Sequence, residues 1–404
     1  MILNNTTHLD YTKYINHVAV AYALVFPLSR AGISFFTALL LLLWLLEGGF
    51  KRKFSLMARN SVVLSISAFL AFNLISLLWT NHLGESFDYI RRYWYLSIII
   101  VFFTSIQKDF IPKILSFFIL GMFISEVISY GVFFEWWEFK HATTANISPF
   151  MHHIEYSVYL ALAALIIMGR IFSHRMIKTK LIYIAFFITM SGNLFLTEGR
   201  TGQLALVLGL LTLALVNFKN KFKAFFISSV ISLTLLSAAY VFSDTFQHRV
   251  ADASSSLINV INNQDYCSSW GARVGAYITA KDIVVTHPII GVGITDNMDI
   301  FRGLLDTKYQ YMGCIRELAH MHNQYLQVLT QLGFLGLFIF ISIFYNLGNI
   351  KIKNREFRNI KYVYLAILFV GFIAEVLFHR AFSLALYSVM VGLILAQNRV
   401  ENEV

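Results

Sequence analysis

Residues 320–338 read HMHNQYLQVLTQLGFLGLF, and both the fold and the site depend on this stretch. The run from residue 325 to residue 347 is apolar and long enough to cross a membrane, since a spanning helix needs about 20 mostly apolar residues. Polar side chains nevertheless recur along one helical face for almost three turns, at Asn323, Gln324, Gln327, Thr330 and Gln331. An unpaired amide in hydrocarbon costs several kcal/mol. We therefore expect this amide stripe to face the bundle interior or a water-filled cavity.

The rest of the chain has the composition of a membrane protein. Of its 404 residues, 57% are hydrophobic and 13% are charged, whereas a soluble domain has about 25% charged residues. Residues 1–16 are polar and many apolar runs follow them, so we expect no cleavable signal peptide. The hydropathy predicts an all-α, polytopic integral membrane protein with about twelve transmembrane helices. The predicted spans are 14–29, 31–48, 60–79, 94–106, 112–134, 154–170, 180–197, 202–217, 223–242, 325–347, 361–378 and 381–397.

The lysines and arginines between the spans predict the orientation of the chain. With the amino terminus in the cytoplasm, twenty of the 32 fall in inner segments and twelve in outer segments. Six of the outer twelve lie in a single long loop, where the positive-inside rule has little weight. We therefore predict that both termini are cytoplasmic, and we attribute the net charge of +10 to topology rather than to nucleic-acid binding. The chain then divides into spans one to nine (1–242), one large outer loop (243–321) and spans ten to twelve (322–404).

The large outer loop is the place where an extramembrane structure is expected to fold. Residues 271–285, GARVGAYITAKDIVV, predict a helix that His287-Pro288 ends. Both cysteines of the chain, Cys267 and Cys314, lie in this loop. In an oxidising compartment they are expected to form a disulfide, and the alternative is two unpaired thiols.

Three arginines of the predicted outer side are candidate functional residues. Arg200 lies in a short turn between two apolar runs, and an arginine near hydrocarbon is costly enough that it usually has a function. Arg249 follows the ninth span, and Arg273 lies on the predicted helix of the outer loop. The alternatives are a snorkelling interfacial arginine for Arg200, a membrane-flanking charge for Arg249 and a solvated loop charge for Arg273.

The histidines at the mouth of the amide stripe supply a candidate base. An imidazole titrates near neutral pH, so His322 suits general-base catalysis at a cavity mouth, whereas a purely structural amide ladder is the alternative for the stripe. His320 and His322 form an H-x-H pair, but no carboxylate or thiol cluster accompanies it in the sequence, so no metal site is expected. Gly333 and Gly336 are expected to let a neighbouring helix pack closely.

Other reaction classes lack their signatures. The sequence has no H-E-x-x-H, C-x-x-C, G-x-S-x-G or Asp-x-Asp, which argues against zincin, thiol-redox, serine-hydrolase and metal-dependent nucleotide-sugar chemistry. The stretch HHIE, from His152 to Glu155, is expected to be interfacial rather than a ligand set. Acidic residues are expected to be missing from the middle of nearly every span, with Glu375 as the main exception. That distribution argues against a proton- or sodium-coupled transporter.

Three stretches, taken in order, resemble the O-antigen ligase and polymerase superfamily: LTEGRTG (196–202), GARVGAYITAKDIVVTHPIIGVG (271–293) and HNQYLQVLTQLGFLG (322–336). Ligases of this group carry His-Asn, nine residues and then Gly-x-x-Gly, and His322-Asn323 with Gly333 and Gly336 reproduces that spacing. The resemblance covers about 140 residues from Leu196 to Gly336, together with the twelve-span layout and the single large loop. The amino-terminal half is similar only in hydropathy.

The resemblance implies a GT-C-like glycosyltransferase of the inner membrane with its site facing the periplasm. Such an enzyme moves a glycan from undecaprenyl diphosphate to a lipid A-core sugar with inversion, and it uses no metal, nucleotide or other cofactor. By this resemblance His322 falls on the essential histidine, and three residues fall on arginines that stabilise the departing diphosphate: Arg200, Arg249 and Arg273. Asn323 and His320 are candidate supporting residues, the alternative for His320 being a plain interfacial position. The amide stripe is then expected to line the donor or acceptor cavity.

Three alternatives stay open at this point. A sister O-antigen polymerase uses the same donor with a lipid-linked glycan as acceptor, and residues from Arg302 to Gly313 fit the R-x10-G pattern of polymerases. A protein O-oligosaccharyltransferase is the second, although such relatives usually carry longer carboxy-terminal loops. A flippase or transporter of lipid-linked glycans is the non-enzymatic alternative, and it requires charged residues within the spans.

Overall fold

The structure is a computed structural model that describes residues 10–140, 142–173 and 176–403. Outside these ranges lie the first nine residues of the polar amino-terminal stretch, and residues 174 and 175 of a basic segment predicted to be cytoplasmic. The described ranges contain seventeen α-helices and no strand longer than one isolated bridge, so the predicted all-α class is confirmed. The first nine helices are Tyr11–Val25 (α1), Arg30–Glu47 (α2), Phe50–Ala58 (α3), Ser61–Ile75 (α4), Leu83–Arg91 (α5), Ser97–Ser105 (α6), Ile111–Phe133 (α7), His153–Ser173 (α8) and Ile177–Leu196 (α9). The others are Arg200–Asn217 (α10), Lys221–Phe242 (α11), Asp244–Asn263 (α12), Ser269–Thr286 (α13), Asp296–Thr307 (α14), Gln324–Asn349 (α15), Arg355–Ala374 (α16) and Ala381–Asn402 (α17).

Ten helices within the described ranges are long and apolar enough to span a membrane, namely α2, α4, α7, α8, α9, α10, α11, α15, α16 and α17. The chain is therefore a multi-pass membrane protein. Two of the twelve predicted spans are shorter than the about 20 residues that a crossing needs. The first is α1, with 15 residues, and the fourth is a 3₁₀ turn, Arg92–Leu96, followed by the nine residues of α6. Pro27 has no N–H to continue α1, and the chain turns directly into α2.

The helices differ in how much protein surrounds them. In α8 and α17, 78% of the residues in the apolar stretch are buried, against 17% in α11. A helix that is apolar all round and buried belongs to the centre of a bundle, whereas an exposed apolar helix faces lipid. We therefore place α8 and α17 in the centre of the bundle and α11 at its lipid-facing edge.

Acidic side chains in the bundle correct the expectation that Glu375 is the main exception. Glu126 lies in α7 and is 2% exposed, so a second carboxylate is buried within a predicted span. Glu155 of α8 is buried as well, where it accepts hydrogen bonds from the backbone N and the hydroxyl of Ser383. The argument from missing acids against a transporter therefore loses part of its basis.

The segment between α11 and α15 folds into a helical unit with its own core. The predicted helix of residues 271–285 is confirmed as α13, which ends before His287. The unit buries apolar side chains of α13, α14 and the residues that follow, namely Ala276, Ala280, Ile283, Val292, Met298, Phe301, Leu305, Met312, Ile315 and Met321. Cys267 and Cys314 form a disulfide that joins the start of α13 to the 3₁₀ turn Gln310–Ile315. This unit thereby presents α13 to the mouth of α15.

Candidate functional site

The loop before α15 carries both histidines, and Asn323 fixes its end. Asn323 is the N-cap of α15, and its Oδ1 accepts a hydrogen bond from Leu326 N at 3.1 Å. Its Nδ2 donates to the hydroxyl of Tyr277 in α13 at 3.2 Å. The preceding residue, His322, has φ +48°, a left-handed conformation that residues other than glycine rarely adopt. The cap and its contact with α13 therefore hold His322 in a strained position at the mouth of the helix.

The amide stripe of α15 is buried, which confirms that it faces the bundle interior. Gln327 Oε1 accepts from Met321 N at 3.0 Å, between the two histidines. Gln324 Oε1 accepts from Phe378 N at 2.9 Å, in the connection between α16 and α17. Gln327 and Gln331 also border a small cavity of about 130 Å³ together with His320. The stripe thus serves chiefly to fix the two backbone segments on either side of the site.

α15 is interrupted at Gly333, where a segment of the outer loop inserts against it. Gly333 has φ +65° and ψ −169°, and a Cβ on it would lie 2.3 Å from the carbonyl oxygen of Ile289. Leu335 N donates to that same carbonyl at 3.1 Å. The backbone groups freed by the break are therefore satisfied by the loop, which is how irregular backbone is tolerated inside a membrane protein.

The two glycines of the Gly-x-x-Gly pattern have different surroundings. Gly333 admits the loop segment, whereas the atoms nearest to Gly336 belong to Leu332 of the same helix. The prediction that both glycines let a neighbouring helix pack closely is therefore wrong, because the element that approaches Gly333 is the turn at residues 288–290.

A carboxylate from the end of α16 completes the site. The helix stops at Ala374, and Glu375 continues in an extended conformation before the 3₁₀ turn Leu377–His379. Its side chain is 1% exposed, with Oε1 3.2 Å from His320 Nε2 and Oε2 3.5 Å from His322 Nδ1. The predicted span 361–378 is therefore wrong at its end. The expectation that no carboxylate accompanies the H-x-H pair is also wrong, since this one comes from a distant segment.

The hydrogen bonds define which imidazole nitrogen is free. His320 Nδ1 accepts from the backbone N of His322 at 3.3 Å, so the proton of a neutral His320 is on Nε2, which faces Glu375. Nδ1 of His322 faces the same carboxylate, at a distance that is long for a hydrogen bond and typical of a site without substrate. A proton on that Nδ1 leaves Nε2 of His322 free as a base.

The charges of Glu375 and His320 follow from burial and from their contacts. Burial alone would raise the pKa of Glu375, but the nearby imidazoles of His322 and His320 lower it to about 2. Burial lowers the pKa of His320 to about 4, and the attraction of Glu375 only partly opposes this. Near neutral pH we therefore assign an ionised Glu375 beside a neutral His320.

The same three residues also have the donor types of a metal site. One ligand atom each from His320, His322 and Glu375 lies within 4.8 Å of the others. Two imidazoles and a carboxylate suit Zn²⁺. However, both imidazoles already direct a nitrogen to the carboxylate, as expected for a base held by its counter-charge. The same arrangement therefore also fits proton transfer.

The three arginines singled out from the sequence lie near one another. Arg200 begins α10, within the fields of both Arg249 and Arg273. Arg249 forms an ion pair with Glu198, and Arg273 donates to the carbonyl and hydroxyl oxygens of Ser269 at 2.9 Å and 3.1 Å. Within the described ranges, Glu198 is the one carboxylate that pairs with this arginine group. The group keeps a net positive charge at the outer ends of α8 and α10.

His152 and His153 connect the arginine group to Glu375. Their ring centroids are 4.0 Å apart, and His153 Nδ1 lies 3.9 Å from Glu198. Burial lowers the pKa of His152; the charge of Arg380 adds to this effect, and Glu375 and Glu198 oppose it. The charges on both sides therefore act on this pair, which the sequence analysis expected to be merely interfacial.

A cavity of about 1140 Å³ lies beside His152 and His320 and is lined by cations that the sequence analysis did not single out. They come from four separate connections and are Arg30, Arg91, Arg92, Lys140 and Arg380. In the sequence each is an isolated outer charge that serves only to orient the chain. Their convergence appears only when the four connections are brought together. We call this the basic cavity.

Two matches to known proteins bear on the function of this chain. Residues 185–341 match the protein family described as O-Antigen ligase. An O-antigen ligase of Escherichia coli (strain K12) is 24% identical over 189 residues, which are 46% of this chain and 45% of that relative. The chain is therefore similar to O-antigen ligases over its central and carboxy-terminal part.

Residues 185–341, which match the O-antigen ligase family, contain only part of the candidate site. They include the arginine group, both histidines of the H-x-H pair and the break at Gly333. Glu375 and the five cations of the basic cavity lie beyond these bounds. The alignment with the curated relative spans less than half of its length.

Proposed function

We propose that this protein is an O-antigen ligase, which transfers a glycan from undecaprenyl diphosphate to a sugar of lipid A-core. The observation that carries the proposal is the buried carboxylate of Glu375 facing Nδ1 of His322, at the outer mouth of a membrane helix. This arrangement supplies an oriented base within reach of an anion-binding group. It suits glycosyl transfer between two lipid-anchored molecules, because both substrates reach a site at a membrane surface.

The proposed reaction is a direct displacement with inversion. The acceptor hydroxyl loses its proton to Nε2 of His322 as its oxygen attacks the anomeric carbon of the donor glycan. The bond from that carbon to the diphosphate oxygen breaks, and the diphosphate leaves with the electron pair. Glu375 holds the imidazole in the required tautomer and stabilises the imidazolium that forms. A base placed in this way contributes about 10²–10⁴-fold in rate.

The leaving diphosphate is assigned to the arginine group. A guanidinium matches phosphate oxygens with two parallel hydrogen bonds and keeps its charge at all working pH values. Arg200 and Arg273 have no ion-pair partner in the described ranges, so their charges are free for a ligand, whereas Arg249 is partly neutralised by Glu198. Charge stabilisation of this kind at the departing group needs no metal ion or other cofactor.

The proposed orientation puts both termini in the cytoplasm and the site at the periplasmic face of the inner membrane. In that orientation residues 1–242 and 322–404 form the membrane-embedded part, and residues 243–321 form the periplasmic unit. All the cations of the basic cavity and of the arginine group then lie on the periplasmic side.

The test is a strain in which the gene for this protein is deleted, complemented with wild type or with His322→Ala. We expect the deletion to lose the lipopolysaccharide ladder and to accumulate long lipid-linked polymer, and only the wild type to restore the ladder. Core with a single repeat would instead identify a polymerase. Loss of glycan from proteins would identify a protein O-oligosaccharyltransferase, and donor retained at the cytoplasmic face would identify a flippase.

Purified protein separates the metal-free mechanism from the zinc-type alternative. We expect transfer from lipid-linked glycan to lipid A-core to be unchanged by EDTA, because the trio supplies its own counter-charge. Loss of transfer in EDTA and its recovery with Zn²⁺ would reassign His320, His322 and Glu375 as metal ligands.

The R-x10-G pattern of the polymerase alternative requires the charge of Arg302 to be available for the diphosphate. Arg302 donates to Asp299 at 3.0 Å in α14, so its charge is already paired. No feature of the described ranges therefore favours a diphosphate at Arg302 over one at the arginine group.

A further inference from the structure

The basic cavity collects positive charge with little to balance it. Arg91 pairs with Asp88 at 3.1 Å, and the one carboxylate in the lining, Glu155, is occupied by Ser383. Within the described ranges, four of its cations form no ion pair, namely Arg30, Arg92, Lys140 and Arg380. Like charges held together near a membrane repel one another and cost stability. Their retention in one cavity therefore points to an anionic ligand.

Several of these cations are held in place rather than free in solvent. Arg92 donates to the ring and to the carbonyl oxygen of His379. The ammonium group of Lys140 lies 5.0 Å and 4.9 Å from the ring centres of Phe139 and Phe150. Arg380 directly precedes the first turn of α17, whose N-terminal residues also line the cavity. The cavity thus combines positioned cations with the positive end of a helix, a combination that suits phosphate.

The stereochemistry of the proposed reaction requires two separate binding regions. In an inverting displacement the attacking oxygen and the leaving oxygen are on opposite sides of the anomeric carbon. The arginine group accounts for the leaving diphosphate, and the His152–His153 pair separates it from the basic cavity. His320 borders the basic cavity, and its ring centroid is 4.5 Å from that of His322. A hydroxyl that reaches His322 from the cavity side therefore belongs to the acceptor.

The dimensions of the basic cavity fit a saccharide better than a diphosphate alone. Pockets for small molecules measure about 300–1,000 Å³, and this cavity has about 1140 Å³. The lining includes aromatic rings of Trp94, Tyr95 and Phe150, against which the apolar faces of sugar rings pack. Sugar-sized volume, aromatic faces and fixed cations together favour a sugar that carries phosphate.

We propose that the basic cavity is a second anion subsite, which binds a phosphorylated sugar of the acceptor and thereby directs the acceptor hydroxyl to His322. This proposal rests on the proposed ligase function and adds the acceptor side of the same site. The shared chemistry is a phosphate group, and its two possible sources are the acceptor core and the diphosphate of the donor.

The experiment measures the KM for acceptor and the KM for donor separately with the purified full-length protein. The probes are lipid A-core in its phosphorylated form, the same core after removal of phosphate, and undecaprenyl-diphosphate-linked glycan. The variants are Arg380→Gln and Lys140→Gln. Lys140 is exposed in a connection and its replacement is not expected to disturb folding. Arg316→Gln is the matched control, because Arg316 lies on the outer unit and pairs with Asp306 away from the cavity.

We expect each cavity variant to raise the KM for phosphorylated acceptor about tenfold or more, as loss of a charge-assisted phosphate contact does. In each cavity variant the KM for donor should stay within about twofold of wild type. In Arg316→Gln the KM for acceptor and the KM for donor should both stay within about twofold of wild type. With dephosphorylated acceptor, wild type and variants should have the same raised KM.

Two results would overturn the proposal while leaving the ligase function intact. A raised donor KM with unchanged acceptor KM would assign the cavity to the donor diphosphate. Equal KM values for phosphorylated and dephosphorylated acceptor in the wild type would exclude a phosphate contact. Failure of the wild type to transfer glycan to either acceptor would instead contradict the proposed function itself.

Discussion

Glu375 Oε2 lies 3.5 Å from Nδ1 of His322, although one residue follows α16 and the other precedes α15. Both residues are outside regular helix, in segments that the amides of α15 hold in place. The base and its counter-charge are therefore positioned by the same buried helical face. This contact explains why a membrane helix carries an amide stripe.

The contact predicts a loss of rate when the carboxylate is removed. Between about pH 5 and pH 8 neither Glu375, with a pKa of about 2, nor His320, with a pKa of about 4, changes its charge. In Glu375→Gln the imidazolium that forms during transfer loses its counter-charge. The maximal rate should therefore fall about 10²-fold throughout this pH range.

The measurement is the maximal rate of transfer by Glu375→Gln at several pH values in this range, with Glu317→Gln as control because Glu317 is 91% exposed in the outer unit. A rate close to that of the wild type in Glu375→Gln would show that Glu375 does not support the base during the reaction.

The arginine group predicts non-additive losses. If Arg200 and Arg273 hold one diphosphate together, removal of either already misplaces it, so the double alanine variant should be little worse than the worse single variant. Lysine keeps the charge but not the two-pronged geometry, so Arg→Lys should stay substantially impaired at both positions. The assay is donor binding and transfer in vitro. Wild-type activity in both lysine variants, or cleanly additive alanine losses, would remove these residues from the site.

The disulfide of the outer unit predicts that neither cysteine is a free thiol in exported protein. Cys267 and Cys314 are 47 positions apart, and closing such a loop contributes on the order of 4 kcal/mol in the chain-entropy model. The bond fixes the start of α13 and with it Arg273. Alkylation without reductant should therefore label neither cysteine. The measurement is mass spectrometry of the alkylated protein. Two freely alkylated thiols in normally exported protein would contradict the pairing.

The break in α15 predicts that its two glycines tolerate substitution unequally. Gly333→Ala must place a Cβ against the carbonyl oxygen of Ile289 at a left-handed backbone position, which costs of order 1–3 kcal/mol. Gly336→Ala would bring its Cβ to 2.2 Å from the Cβ of Leu332, but its backbone is not left-handed, so it should cost less than Gly333→Ala. The comparison is thermal unfolding of the two purified variants. Equal stability of Gly333→Ala and wild type would contradict the inserted loop.

Local patterns allowed much of this structure to be predicted. The apolar runs predicted most of the spans, and the stretch 271–285, which His287-Pro288 ends, predicted α13. His322, Asn323 and the three arginines could be singled out because each belongs to a short motif or stands beside a hydrophobic run. These features depend on residues close together in sequence.

The parts of the site that could not be predicted from the sequence depend on contacts between distant segments. Glu375 was noticed only as a lone acid in an apolar run, and its partner lies in another connection of the bundle. The cations of the basic cavity come from four connections, so no window of sequence contains more than two of them. The one available sequence signal was Glu375 in an apolar run, followed within a few residues by His379 and Arg380. Charged side chains are costly near hydrocarbon, so such a group indicates a function.

The central claim is that His322, and not its neighbour His320, is the base. The most direct measurement is glycan transfer in vitro by purified His322→Ala and His320→Ala, with donor binding measured for both. We predict that His322→Ala binds donor but loses transfer by at least about 10²-fold, whereas His320→Ala keeps a larger share of the activity because it only supports Glu375. Near-normal transfer by His322→Ala, with His320→Ala inactive, would contradict the account and move the base by two residues.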